Sequence, residues 1–101
     1  DICKAVNVVI EHQGGISISA HGKTEVLPLP VAGIMSAEDG YELAQKYVEI
    51  DQAAKRLGTR LEAPFMTLSF MALLVIPSLK LSDLGLFDGK RFEFTSLFVG
   101  E

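Results

Sequence analysis

Three residues in this chain are soft enough donors to ligate a transition metal: Cys3, His12 and His21. They form no His-x-His or Cys-x-x-Cys pair, so surface or capping roles are expected for them instead of a shared ion. Asp83 and Asp88 flank Gly85 and have the residue types of a general acid and base, but aspartates beside a glycine are also ordinary turn chemistry, which is the simpler reading. Ser36 precedes a helical pattern, where a hydroxyl and free backbone amides either hold an anion or cap the helix, and capping is the commoner use. Gly14 and Gly15 lack the spacing of a phosphate-binding loop. These residues do not add up to a self-sufficient active site, which turns attention to the elements that carry them.

A chain of 101 residues has room for one hydrophobic core, and a single domain over 1–101 is expected. Apolar residues make up 49% and charged residues 22%, a surplus of apolar surface that suggests contact with a partner. The net charge of -4 and the lack of a basic run argue against nucleic acid as a ligand. One cysteine rules out an internal disulfide, and neither a signal peptide nor a membrane span is visible, so a cytoplasmic location is the default. Asp1 in place of an initiator Met suggests a piece of a longer chain.

Ile2, Ala5, Val6, Val9 and Ile10 repeat at helical spacing, with Asp1 placed to cap and the Gly14-Gly15 pair to stop the helix. A strand competes here, because Val6, Val8, Val9 and Ile10 are β-branched. Ile16, Ile18 and Ala20 then alternate with Ser17, Ser19 and His21, predicting a half-buried strand that turns at Gly22-Lys23 and returns over 25–29. Pro28 and Pro30 confine the returning strand to an edge. Residues 30–36 (PVAGIMS) lead to the longest helix, with Ser36 and Asp39 in the form of a capping box. Its inner stripe is Leu43, Tyr47, Ile50, Ala54 and Leu57, and its pairs Glu42–Lys46 and Asp51–Lys55 stand four residues apart.

Between Pro64 and Pro77 the run FMTLSFMALLVI carries no charge and is too short to span a bilayer. It predicts a central strand, with Leu68 and Phe70 on its buried face, closed by the turn Ser82-Asp83-Leu84-Gly85. Phe92, Phe94 and Ser96 alternate into a last strand that continues through Leu97, Phe98 and Val99. The fold class is therefore α+β: a compact sandwich of a mixed or antiparallel sheet with a hairpin, packed on one long and one short helix. Leu29, Val31, Ile34, Met35 and Ser36 form a proline-punctuated segment that is too apolar for a plain linker, and they are the candidate domain interface.

Three segments, LPLPVAGIMS at 27–36, PFMTLSFMAL at 64–73 and IPSLKLSDLGLFD at 76–88, resemble the C-terminal region of bacterial adenine deaminases, of the amidohydrolase superfamily, in that family's order and spacing. Leu74 departs from the proline expected there, and Gln13 from a third glycine; neither is a catalytic position. The resemblance implies a whole enzyme that hydrolyses adenine to hypoxanthine and ammonia in purine salvage. A divalent metal, manganese or iron, would sit in its (β/α) barrel and activate water. The barrel's histidine and aspartate ligands lie on segments outside this chain, so no catalytic, cofactor-binding or metal residue is carried over. The barrel of the same chain is then the expected partner, with homo-oligomerisation also expected; a free-standing binding or oligomerisation module is the alternative.

Overall fold

The computed structural model describes residues 1–100 and separates into two compact units, Asp1–Pro64 and the part from Phe65 onward. The composition is α+β, with three α-helices and two small antiparallel sheets.

The first unit places a two-stranded sheet between two helices. Helix α1 (Ile2–Glu11) leads into β1 (Gly15–Ala20) and β2 (Lys23–Pro28), which pair antiparallel with Ile16 opposite Leu27 and Ala20 opposite Lys23. His21 and Gly22, both with positive φ, make the two-residue turn, one residue earlier than the spacing suggested. Strand alternation then sorts the faces. Ser17 points to α1 and its hydroxyl donates to the Ala5 carbonyl oxygen at 2.7 Å, while Ile16 and Leu27 turn to helix α2 (Gly40–Arg56). Leu27 and Ile50 are 3% exposed, and with Ala53 they form the core of this unit. Each of the two buried aliphatic side chains contributes roughly 1.5–3 kcal/mol through burial.

Several local expectations need correction. The side of α1 turned inward carries Ala5, Val8 and Val9, and Ile2, Val6 and Ile10 are exposed. The Asp1 carboxylate caps nothing on α1 and instead accepts from the Ser19 hydroxyl at 3.3 Å. Asp39, not Ser36, caps α2: its carboxylate accepts from the backbone N–H groups of Tyr41 and Glu42 at 3.0 and 3.2 Å. A carboxylate at that position also meets the positive end of the helix dipole, which a serine hydroxyl does not. Lys55 pairs with Asp51 at 2.6 Å as the spacing predicts, but Lys46 reaches back to Glu38 at 2.6 Å instead of to Glu42. That hydrogen bond, helped by the charges of Glu38 and Glu42, raises the Lys46 ammonium above the ordinary lysine pKa.

The central strand expected over 64–77 is not formed. Those residues fold as α3 (Pro64–Ser69) and a 3-10 turn (Phe70–Ala72), and Leu68 is 66% exposed. Pro64 sits at a helix start, where its fixed φ is suitable and its missing N–H costs nothing. Met, Leu and Ala supply six of the ten residues from Phe65 to Leu74 and Thr67 is the one β-branched residue there, so helix propensity prevails over an alternation that only brief periodicity supported. The second unit continues with β3 (Leu79–Ser82), β4 (Gly85–Asp88) and β5 (Glu93–Thr95), in spatial order β3-β4-β5 and all antiparallel. The turn at 82–85 is the one expected: the Ser82 hydroxyl donates to the Gly85 carbonyl and accepts from the Leu84 N–H. Residues 97–99 are not a strand.

Phe87 is buried on one face of this sheet, edge-to-face with Phe92 and Phe94 at centroid distances of 5.5 and 5.3 Å. Loop 73–78 closes over the same side. The Lys80 ammonium, opposite Phe87 in the ladder, donates to the Ile76 carbonyl at 2.9 Å. Gly89 packs its backbone where a Cβ would lie 3.2 Å from the Leu74 and Val75 oxygens.

Candidate functional site

The residues with the chemistry of a site are dispersed. His12 caps the end of α1 with its backbone, His21 forms the β1–β2 turn, and Cys3 is exposed on α1. Asp88 spends one carboxylate oxygen on the backbone N–H groups of Lys90 and Arg91, at 2.8 and 3.1 Å, and Asp83 occupies the 82–85 turn. The two aspartates are turn residues, not an acid–base pair. Among the described residues no three of His, Cys, Asp and Glu approach closely enough to hold a metal ion. The divalent metal implied by the family resemblance therefore does not fit this chain's own donors.

The segment at 29–36 does have a built geometry. Val31 donates to the Met35 carbonyl at 2.9 Å, and Met35 donates back to Val31 at 3.0 Å, closing a tight turn through Ala32 and Gly33 in left-handed conformations. The turn is held against the end of α1. Leu29 donates to the Gly14 carbonyl at 3.0 Å, and a Cβ on Gly14 would lie 2.3 Å from the Gly33 Cα. That approach is possible only with glycine at 14, while Gly33 is favoured by its positive φ, which gives Gly14 a role beyond stopping a helix. Anchored in this way, the turn presents Ile34, 74% exposed, with Met35 and Val31 beside it. Ser36 leaves the turn with its hydroxyl accepting from the Glu38 N–H at 3.1 Å.

Leu29 also lines a cleft of about 440 Å³ between the sheet and α2, whose walls are Ile16, Leu27, Leu43, Ala44 and Tyr47. The cleft and the turn meet at Leu29. Such a surface has no nucleophile and no paired charge; what it can do is bury apolar side chains. The Gly14–Gly33 contact and the cleft were not legible in the sequence, since both join segments that alternation and helical spacing treat separately. The signal available for the first was Gly33, a lone glycine in an apolar segment to which neither period gives a role.

Among the described residues no helix is long and apolar enough to cross a membrane. No solved structure matches the chain. The family described as adenine deaminase C-terminal domain matches residues 1–93. A protein named adenine deaminase from Methanosarcina barkeri is 54% identical over all 101 residues, one from a Sulfurovum species is 56% identical over 92% of the chain, and one from Borreliella afzelii is 44% identical over 92%. The chain spans only 17–18% of the length of these relatives. With a family match over nearly its whole length and identities this high, the chain belongs to the adenine deaminase C-terminal domain family.

Proposed function

We propose that this chain works as a non-catalytic domain of a larger enzyme that hydrolyses adenine to hypoxanthine and ammonia, and that the anchored turn at 29–36 faces the catalytic part of that enzyme. The observation that carries this reading is the match of the whole chain to a fraction of proteins named adenine deaminase, together with a donor set that holds no metal. Manganese or iron would then be held by ligands outside the described residues. This chain supplies shape: Leu29, Val31, Ile34 and Met35 form an apolar surface whose backbone is fixed before contact, so little ordering is lost when it docks.

The test is ammonia release from adenine by the full-length chain and by the 101-residue chain, each supplied with manganese or iron. Turnover is expected from the first alone. Turnover by the shorter chain that survives repurification overturns the non-catalytic assignment, and inactivity of the full-length chain overturns the enzyme. Ile34→Glu with Met35→Glu in the full-length chain tests the placement of the turn, through lost thermal stability or activity.

A further inference from the structure

The β3–β4 hairpin shows a second surface that the 29–36 turn does not explain. Lys80, Phe87 and Phe94 share one face of the sheet, on which Phe87 is buried, and Leu79, Leu81 and Leu86 share the other with Asp88, Glu93 and Thr95, Leu81 lying directly opposite Leu86. On a solvated face, alternation places polar residues at those positions. Here Leu81 is 71% exposed, Leu79 is more than half exposed, and Leu84, at the tip of the turn, is 77% exposed. Leu84 occupies a central turn position with ordinary negative φ, between Ser82 and the positive-φ Gly85, where the backbone accepts most residues and its side chain is left in solvent. The two carboxylates on this face both have partners: Asp88 accepts from the backbone N–H groups of Lys90 and Arg91, and Glu93 pairs with the Arg91 guanidinium.

We infer that the outer face of the β3–β4 hairpin, with Leu84 at its tip, inserts into the catalytic part of the same polypeptide. This rests on the reading that the chain is one domain of a larger enzyme. Two arguments select that occupant over a second copy. The chain accounts for only 18% of the length of relatives it matches along its entire length, so most of the polypeptide is available to form the cover. The leucine patch offers on the order of a few hundred Å², short of the ~800 Å² per partner that a stable association of separate chains uses. A contact this narrow holds when its two sides are joined in one chain at high effective concentration.

The experiment uses the full-length enzyme with Cys3→Ser, carrying either Leu84→Cys or, as a solvent reference on α2, Glu49→Cys. Alkylation is read peptide by peptide by mass spectrometry. The cysteine at 84 is expected to label at least about 100-fold more slowly than the one at 49, because access then requires local opening. Hydrogen exchange of 79–86 in the unaltered enzyme gives the same reading should Leu84→Cys not fold. Equal labelling rates, or rapid exchange, overturn the inference. Protection that disappears on dilution to the monomer also overturns it, since a second copy is then the cover. Adenine turnover by the same preparations reports on the enzyme assignment separately: turnover with rapid labelling overturns the inference alone, and protection without turnover supports the contact while removing the reaction assigned to it.

Discussion

The two sheets of this chain use the same alternation of side chains and reach different ends. In the β1–β2 hairpin both faces are covered, α1 on the Ser17 side and α2 on the Ile16 side, and Leu27 with Ile50 is withdrawn from water. In the β3–β4–β5 sheet one face withdraws only Phe87, against the edges of Phe92 and Phe94 that are themselves half or more exposed, while Leu79 and Leu81 on the other stand in solvent. Among the described residues the second unit buries only Phe87. A segment of under about 40 residues rarely buries enough apolar surface to stand alone. What separates the two units is therefore the supply of cover, not the pattern of the strands. Apolar residues on both faces of a short sheet leave one face without cover inside its own unit.

Breaking this contrast most strongly means removing one side chain from each unit. In the 101-residue chain Ile50→Ala is expected to cost about 2–5 kcal/mol through lost burial and the cavity left behind. Leu81→Ala, already in water, is expected to stay within about 0.5 kcal/mol. Denaturant midpoints measure both. The contrast should narrow in the full-length enzyme, where Leu81→Ala is expected to take on the cost of a buried leucine; an unchanged, negligible cost there breaks the account of the second sheet.

A somewhat smaller effect is expected at the glycine contact that shapes the first unit. Gly14→Ala would put a methyl group onto the Gly33 backbone at a residue with φ near +132°, and Gly22→Ala, also at positive φ, meets nothing within 4 Å. Positive φ strains an added Cβ by about 1–2 kcal/mol in the left-handed region, and Gly14, at +132° against +78° for Gly22, also meets the Gly33 backbone. A larger loss at Gly14 than at Gly22 is expected from the two together. If the two variants melt alike, the turn at 29–36 is not held by Gly14.

How much of this was legible follows the same division. The first unit was readable because each element is governed by one clear period: Ile16, Ile18 and Ala20 at two, Leu43, Tyr47 and Ile50 at three and four. The run at 64–77 carried no such information. Its two polar residues, Thr67 and Ser69, supply one brief alternation, which places Leu68 and Phe70 on a buried strand face when they lie on α3 and the 3-10 turn after it, 66% and 48% exposed. The expected apolar surplus was sound, but it concentrates in the second unit as well as at 29–36. Leu84 at a turn apex was the residue that could have shown this, since turn chemistry explains Ser82, Asp83 and Gly85 and leaves the leucine over. Cap identity failed for a different reason: Ser36 and Asp39 are both good caps, and choosing between them requires knowing where the backbone turns helical.

That choice gives the next smaller prediction. Asp39→Ala is expected to destabilise the first unit by about 1 kcal/mol, since it removes the acceptor of two helix N–H groups. Ser36→Ala, losing one hydrogen bond in an exposed turn, is expected to cost no more than about 0.5 kcal/mol. The reverse order in thermal melts would return the cap to Ser36.

The smallest effect lies on the solvated side of α2, and it shows how little charge adds where cover is already complete. Lys46 donates to Glu38 at 2.6 Å across a surface on which both side chains are about half exposed. Its pKa is raised above 10.5, first by that hydrogen bond and then by the charges of Glu38 and Glu42. A cation held more tightly in the folded state stabilises it while the unfolded chain is also protonated, and that contribution is lost as pH climbs through the raised value. The direction is therefore loss of stability above pH 10.5, with a constant contribution through the neutral range. The parent and Glu38→Gln should differ by a small, fixed gap at neutral pH that closes at strongly alkaline pH, and added salt should shrink the gap at every pH, as it does for exposed pairs. Glu42→Gln should produce a smaller gap, since Glu42 acts on Lys46 only through space. A gap that persists undiminished after Lys46 has lost its proton would mean that Glu38 stabilises the segment before α2 by something other than this ion pair.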